Sequence, residues 1–373
     1  MKRLSLTLAA LGMSVGAFAS LPAGATSTGV TVPQLPGGFV IGGSGFYLQP
    51  SHTDADLAYA STAIRNTAGT VTASNSTISA IKPGFAFGWG AHVGYVFPNT
   101  GNDINVSYFH FDKNNSASTS VAGFNNALGQ QRNGNFILPI NLTVSNGDAY
   151  QNASATAKYN LDQVDLTAGQ YINIGSRLSV HPIAGVRWAQ LDRKLNENYF
   201  ALGTSGFNVS NNPTSNLGNG TLVLNEKSDF NGIGPMIGSD VSYYIGGGVG
   251  VVGHADTALL FGNINANTTE AMTRLNNLFF PVSQPATFNG TYATNSTRRV
   301  VPVVDGKLGL DYTYLFNNAS NSDLTLEAGW QGSKYFNAVD RLVAVDGTAG
   351  GVIRSVTSNL SFAGPYVDLT FHA

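Results

Sequence analysis

The chain of 373 residues has no cysteine and little charge. Without cysteine there can be neither a disulfide framework nor a thiolate nucleophile or thiolate metal site. Charged residues make up 11% of the chain, less than half the roughly 25% usual in soluble domains. A formal net charge of −2 gives no basis for nucleic-acid binding. Beyond the N-terminal leader, no segment reaches the ~18 consecutive apolar residues of a transmembrane helix. After residue 25 there is also no G-x-S-x-G elbow and no H-E-x-x-H pair. No catalytic residue, metal ligand set or cofactor is therefore assigned.

What the chain has instead is alternation. From 85 to 97, Phe85, Phe87, Trp89, Ala91, Val93, Tyr95 and Phe97 occupy every second position, with Ala86, Gly88, Gly90, His92, Gly94 and Val96 between them. Successive side chains of a strand point to opposite faces, so this stretch has one large apolar face and one small, mildly polar face. Lipid outside and a tight or watery interior inside would require that division. The run is also longer than the roughly 9–11 residues that cross the hydrocarbon. The inward glycines read either as a ligand passage or as relief of crowding where strands curve around a narrow barrel, and the second reading is favoured.

Met1-Lys2-Arg3 followed by the apolar stretch 4–19 has the form of a secretory signal peptide, with small-residue cleavage sites at Ala17-Phe18-Ala19 and Ala23-Gly24-Ala25, of which the second is favoured. The expected division is signal peptide 1–25, periplasmic linker 26–38 and barrel 39–373. Alternation returns at 39–48, 103–109, 159–172, 178–188, 230–244, 249–261, 300–316, 324–331 and 360–371, making about ten strands. The count rises towards twelve if Phe136, Leu138, Ile140, Leu142 and Val144 form an added arm. Short turns such as Pro98-Asn99-Thr100-Gly101-Asn102 and Gly246-Gly247-Gly248 follow the even strands. Long polar stretches at 51–82, 112–155, 192–219, 263–297 and 337–357 follow the odd ones. The fold class expected is all-β, an antiparallel transmembrane β-barrel with short periplasmic turns and long extracellular loops.

The face opposite the apolar one carries the candidate pore-lining residues His92, Asp103, Asp165, Arg177, His181, Arg187, Asp240, His254, Asp256, Asp305, Lys307, Asp311, Glu327 and Asp368. His254 and Asp256 lie two apart, so they share a face and could join His92 or His181. Without a spaced motif, such a pair reads as part of a lumen network rather than as catalytic machinery. Carboxylates outnumber Arg177, Arg187 and Lys307, and unperturbed histidines are mostly neutral at pH 7. Any conductance is therefore expected to favour cations weakly.

The segments GGSGFYLQPS (42–51), GVRWAQLDR (185–193), FNGIGPMIGSDVSYYIGGGVGVVGHADTALLFG (230–262) and FAGPYVDLTF (362–371) resemble, in content and order, the pore-forming outer-membrane proteins typified by the major outer membrane protein of Legionella. The resemblance implies a pore-forming barrel in the bacterial outer membrane and supplies no substrate. Because the chain lacks cysteine, disulfide-linked oligomers are not carried over, although a homo-oligomer stays open. The expected partners are membrane lipid and lipopolysaccharide, the outer-membrane assembly machinery reading the closing strand, and small solutes or ions. Two functions lead: a porin-like passive pore, and a structural or adhesive surface barrel with a closed lumen. A barrel enzyme is a distant third. Ten strands are few for an open aqueous channel.

Overall fold

The computed structural model describes residues 29–52, 56–65, 71–80, 82–120, 134–139, 150–201, 220–274, 286–316, 322–344 and 353–373. The expected signal peptide lies outside them. Ten strands make the wall: β1 (Gly38–His52), β2 (Ala86–Val96), β3 (Asn102–Ser120), β4 (Asn152–Gln170), β5 (Leu178–Ala201), β6 (Gly220–Gly246), β7 (Val249–Arg274), β8 (Thr297–Leu315), β9 (Asp323–Ala344) and β10 (Ile353–His372). Each is antiparallel to the next, and β10 pairs with β1, so the ladder closes on itself. An unpaired backbone group in hydrocarbon costs several kcal/mol, and a closed ring leaves none. The two residues past Phe371 take part in this closure. His372 pairs with Val40, and the Ala373 N–H donates to the Phe39 carbonyl at 2.9 Å.

One band of the outer wall is apolar. Phe39, Ile41, Phe87, Trp89, Val93, Leu166, Ile233, Ile237, Leu308, Leu310, Leu326 and Val367 all face outward and are exposed, Phe87 by 81%. Aromatic residues rim this band on both sides. Phe39, Tyr95, Phe97, Tyr314, Phe316 and Phe371 contact one another near the short turns. Tyr47, Phe85, Phe87, Trp330, Trp89 and Tyr108 do so at the far side. From Phe87 to Phe97 is ten residues, about 25 Å of height for a strand tilted by ~40°, which matches the apolar band of an outer-membrane barrel.

The wall continues well past that band, and here the expected loops are corrected. Parts of 112–155, 192–219 and 263–297 are strand: β3 runs to Ser120, β5 to Ala201, and β7 to Arg274. The inward parity is kept but its chemistry inverts. On β5 the inward series is His181 and Arg187 within the band, then Leu191, Leu195 and Tyr199 above it, while Lys194, Asn196 and Asn198 face water. A strand outside the membrane has polar residues on its outer face, so its overall composition is that of a loop. On β4 the inward positions above the band are Ala153, Ala155 and Ala157, too small to stand out from the Ser and Asn around them.

Two further expectations change. Within the first long stretch, Asp56–Arg65 pairs with Val71–Ala80 and also with Gly134–Pro139. The added arm therefore pairs with the first long polar stretch and adds no strand to the wall, and 140–149 lie outside the described residues. In β9 the register shifts between Tyr335 and Val339, with Asn337 at φ 57°. This bulge breaks the alternation, and it is why the strand looks as if it ends near 337 when it runs to Ala344.

Facing and depth are measurable on the assembled protein. Trp89→Arg or Leu310→Arg should cost about 2–4 kcal/mol of unfolding free energy in micelles, and Asn265→Arg, outward but above the band, should be near neutral. The folded barrel should also run faster on a detergent gel before boiling than after. Equal costs at all three positions would mean that the faces are misassigned.

Candidate functional site

Inside the apolar band the wall encloses a chamber of about 420 Å³. Of the expected lining residues, His92, Asp103, Asp165, His181, Arg187, Asp240, His254, Asp256, Asp305, Lys307, Glu327 and Asp368 border it. Asp311 faces inward, directly across from Glu327, but lies outside this border. Arg177 is corrected: it sits in the exposed turn before β5, where its carbonyl accepts the Tyr244 N–H at 2.8 Å. Its parity matched the strand, but the strand begins one residue later.

The histidines form a row with the acids. His181 lies 2.8 Å from Asp103 through Nε2 and 3.0 Å from Asp240 through Nδ1. His254 lies 2.8 Å from Asp240 through Nδ1 and 3.0 Å from Glu327 through Nε2, and Tyr366 donates to Glu327. His254 therefore meets His181 through a shared carboxylate. An ionised carboxylate only accepts hydrogen bonds, so each ring needs protons on both nitrogens, or one on the facing carboxyl. The row thus holds more protons than two neutral imidazoles among ionised carboxylates would. His92 stands apart, 3.1 Å from the Thr370 hydroxyl and 3.8 Å from Asp368.

Asp256 belongs elsewhere than with His254. Arg187, 2% exposed, donates from Nε and Nη2 to Asp165 at 2.7 and 2.8 Å, lies 3.0 Å from Asp256, and also binds Asp305. To reach β7 and β8 it spans β6, which presents Gly234 opposite Arg187 and Gly238 opposite Asp256. One guanidinium with three carboxylates leaves a negative excess. Lys307 Nζ sits 5.4 Å from the Tyr366 ring centre.

Aromatic residues roof the chamber. Phe46 stacks on Phe109 with centres 4.3 Å apart, and Phe362 meets Phe111 and Tyr335 edge-on. The inward glycines serve this packing: a Cβ at Gly88 would lie 2.1 Å from the Phe46 ring, and one at Gly42 would lie 2.4 Å from the His92 ring. Tyr335 and Tyr366 were legible as inward positions of β9 and β10, though the sequence reading did not single them out. Tyr171, which stacks on His181 at 3.9 Å, shares the parity of Asp165 within the expected strand 159–172 but was not singled out either, and it follows the end of β4 at Gln170.

Above the roof lies a second buried charged group, whose Arg193, Glu197 and Arg341 fall in stretches read as loop. Arg341 donates from Nε to Glu226 at 3.0 and 3.2 Å, and Arg193 lies 3.6 Å from the same carboxylate. The Tyr199 hydroxyl donates to Glu197 at 3.1 Å. Glu197 is fully buried. Burial, reinforced by the nearby Glu226 charge and only partly offset by Arg341, pushes its carboxyl up to about 8.

A family model described as the Legionella pneumophila major outer membrane protein precursor matches residues 31–373. The chain belongs to that family. It is thus a bacterial outer-membrane protein. No curated protein matches it. Among solved structures it is similar to the outer membrane protease OmpT from Escherichia coli, at 10% identity and a TM-score of 0.36, covering 92% of this chain and 99% of that one. The Pseudomonas putida toluene transporter TodX follows at 9% identity and 0.25, covering 90% and 89%. A Pseudomonas aeruginosa FadL homologue stands at 8% and 0.26, covering 90% of each chain. Likeness at this level bears on neither activity nor cargo.

Two outcomes follow from the buried charges. Arg187→Met should destabilise the barrel by about 3–5 kcal/mol, because it strands the buried Asp165 and the half-buried Asp256 and Asp305, and urea unfolding in micelles would measure it. Glu197 binds its proton more tightly folded than unfolded. Its contribution is therefore fully present below the ordinary glutamate value near 4.5 and is lost as pH rises through about 8. Glu197→Gln should flatten the fall in the urea midpoint between pH 5 and 9, and an unchanged slope would contradict the assignment.

Proposed function

We propose that the protein is a pore-forming barrel passing ions and small solutes, with the described form as its closed state. The observation that carries this reading is the 420 Å³ chamber inside the membrane band into which, beside apolar residues such as Ile183 and Met236, so many charged side chains project. A barrel that only needed filling would do so with apolar residues, since buried charges cost several kcal/mol each unless compensated. Seven carboxylates border the chamber: Asp103, Asp165, Asp240, Asp256, Asp305, Glu327 and Asp368. They exceed Arg187, Lys307 and the two doubly bonded histidines together. An excess of one sign in a low-dielectric wall concentrates the opposite ion. The preference is therefore for cations, and the neighbours this reading implies are lipid along the band and lipopolysaccharide at the upper rim.

The aromatic roof favours a second reading, a structural or adhesive barrel whose lumen stays shut. Planar-bilayer recording of the refolded protein separates the two. A pore should give small, infrequent steps whose reversal potential under a KCl gradient shifts in the cation direction, and Glu327→Gln with Asp368→Asn should reduce that shift. A silent bilayer would leave the shut barrel, and an anion preference would overturn the acidic-lining argument.

A further inference from the structure

The segment 29–37, expected as a linker, is tied across the short-turn end of the barrel. At its far end the Gly175 N–H donates to the Gly29 carbonyl at 2.6 Å, and Val30 and Thr31 pair with Ile174 and Asn173 beside β5. Midway, the Asn99 N–H in the turn after β2 donates to the Leu35 carbonyl at 2.9 Å. Pro33 and Pro36 fix the backbone between these points and offer no N–H of their own. At the near end Gly37 and Gly38 have φ of +77° and +148°, conformations that glycine adopts readily and other residues rarely do. The segment is therefore stiff in the middle, hinged where it enters β1, and held at its far end by a two-residue ladder.

Beneath it lies a cavity of about 290 Å³, walled on one side by Pro33, Leu35 and Pro36 and on the other by residues of β1, β2, β5, β9 and β10. β9, β10, β1 and β2 are neighbours in the ring and β5 is not, so the cavity reaches across the mouth of the barrel. Val40, Tyr171 and His372 border both this cavity and the charged chamber. Those three side chains are the partition between them, and Tyr171 is further held by its stack on His181.

We propose that residues 29–37 form a movable periplasmic strap controlling access to the lumen chamber. The far clip is the weak point. Its release lets the stiff arm swing on Gly37–Gly38 and exposes the mouth cavity, leaving Tyr171 as the inner door. The inference concerns access from the periplasmic side and stands whether or not the chamber conducts.

The native chain has no cysteine, so a single introduced thiol reports cleanly. Ser107, which lines the chamber, is replaced as Ser107→Cys, with Asn265→Cys on the exposed upper wall as the reference. A small cationic methanethiosulfonate is then applied to the folded protein in micelles. Removing residues 29–36 should speed modification at position 107 at least ten-fold and leave position 265 unchanged. Rates at 107 within two-fold of each other would overturn the proposal. If the shortened chain does not assemble, Pro33→Gly with Pro36→Gly in the intact chain carries the same test, with acceleration expected and its absence equally decisive. Bilayer recording of the same variants separates this from the pore reading. Fast modification with no conductance keeps the strap and rejects the pore, whereas conductance with unchanged modification rejects the strap.

Discussion

The closed hydrogen-bond ladder is the constraint from which the rest of the molecule follows. In hydrocarbon a strand can have no free edge, so β1 and β10 must meet, and the meeting fixes both ring size and the common end of the two termini. Ring size in turn sets the interior. Ten strands enclose more space than side chains alone need in an eight-stranded barrel, and less than an open aqueous channel. The space is divided accordingly into a charged chamber in the membrane band and a packed core above it.

One inward register serves both compartments. Along β5 it runs from His181 through Arg187 to Leu195 and Tyr199 without a slip against β4 or β6. What changes with height is the solvent outside. Where the outside is lipid, apolar side chains belong there and polar ones can only face in. Where the outside is water, the hydrophobic effect sends the apolar side chains inward, and the wall becomes an ordinary soluble barrel. Arg341 and Glu226 lie inside that core, as a buried ion pair joining β9 to β6.

This division also decided what could be read from sequence. The membrane band was legible because lipid forces a contrast as sharp as Trp89 against Gly88 and Gly90. Strand number, the short-turn end and most of the chamber-facing residues followed from that contrast. Arg177 was misplaced because parity alone cannot say where a strand begins. The upper wall was misread because Ala153, Ala155 and Ala157 bury no more than a methyl each, and because the bulge at Asn337 hides the end of β9. Pairings across the interior, such as Arg187 on β5 with Asp305 on β8, join strands that are not neighbours in the wall, and no local pattern encodes that.

The height of the wall has a consequence for what the cell presents to its surroundings. From Trp188, at the upper edge of the band, β5 runs thirteen more residues to Ala201, about 30 Å of further rise for a tilted strand. The paired ends of β5 and β6, Ala201 and Gly220, are thus held far from the lipid, on a support that keeps its shape through its own core. Outward residues of this upper wall, such as Lys194, Asn196 and Asn198, can then change without disturbing the residues that insert and close the barrel.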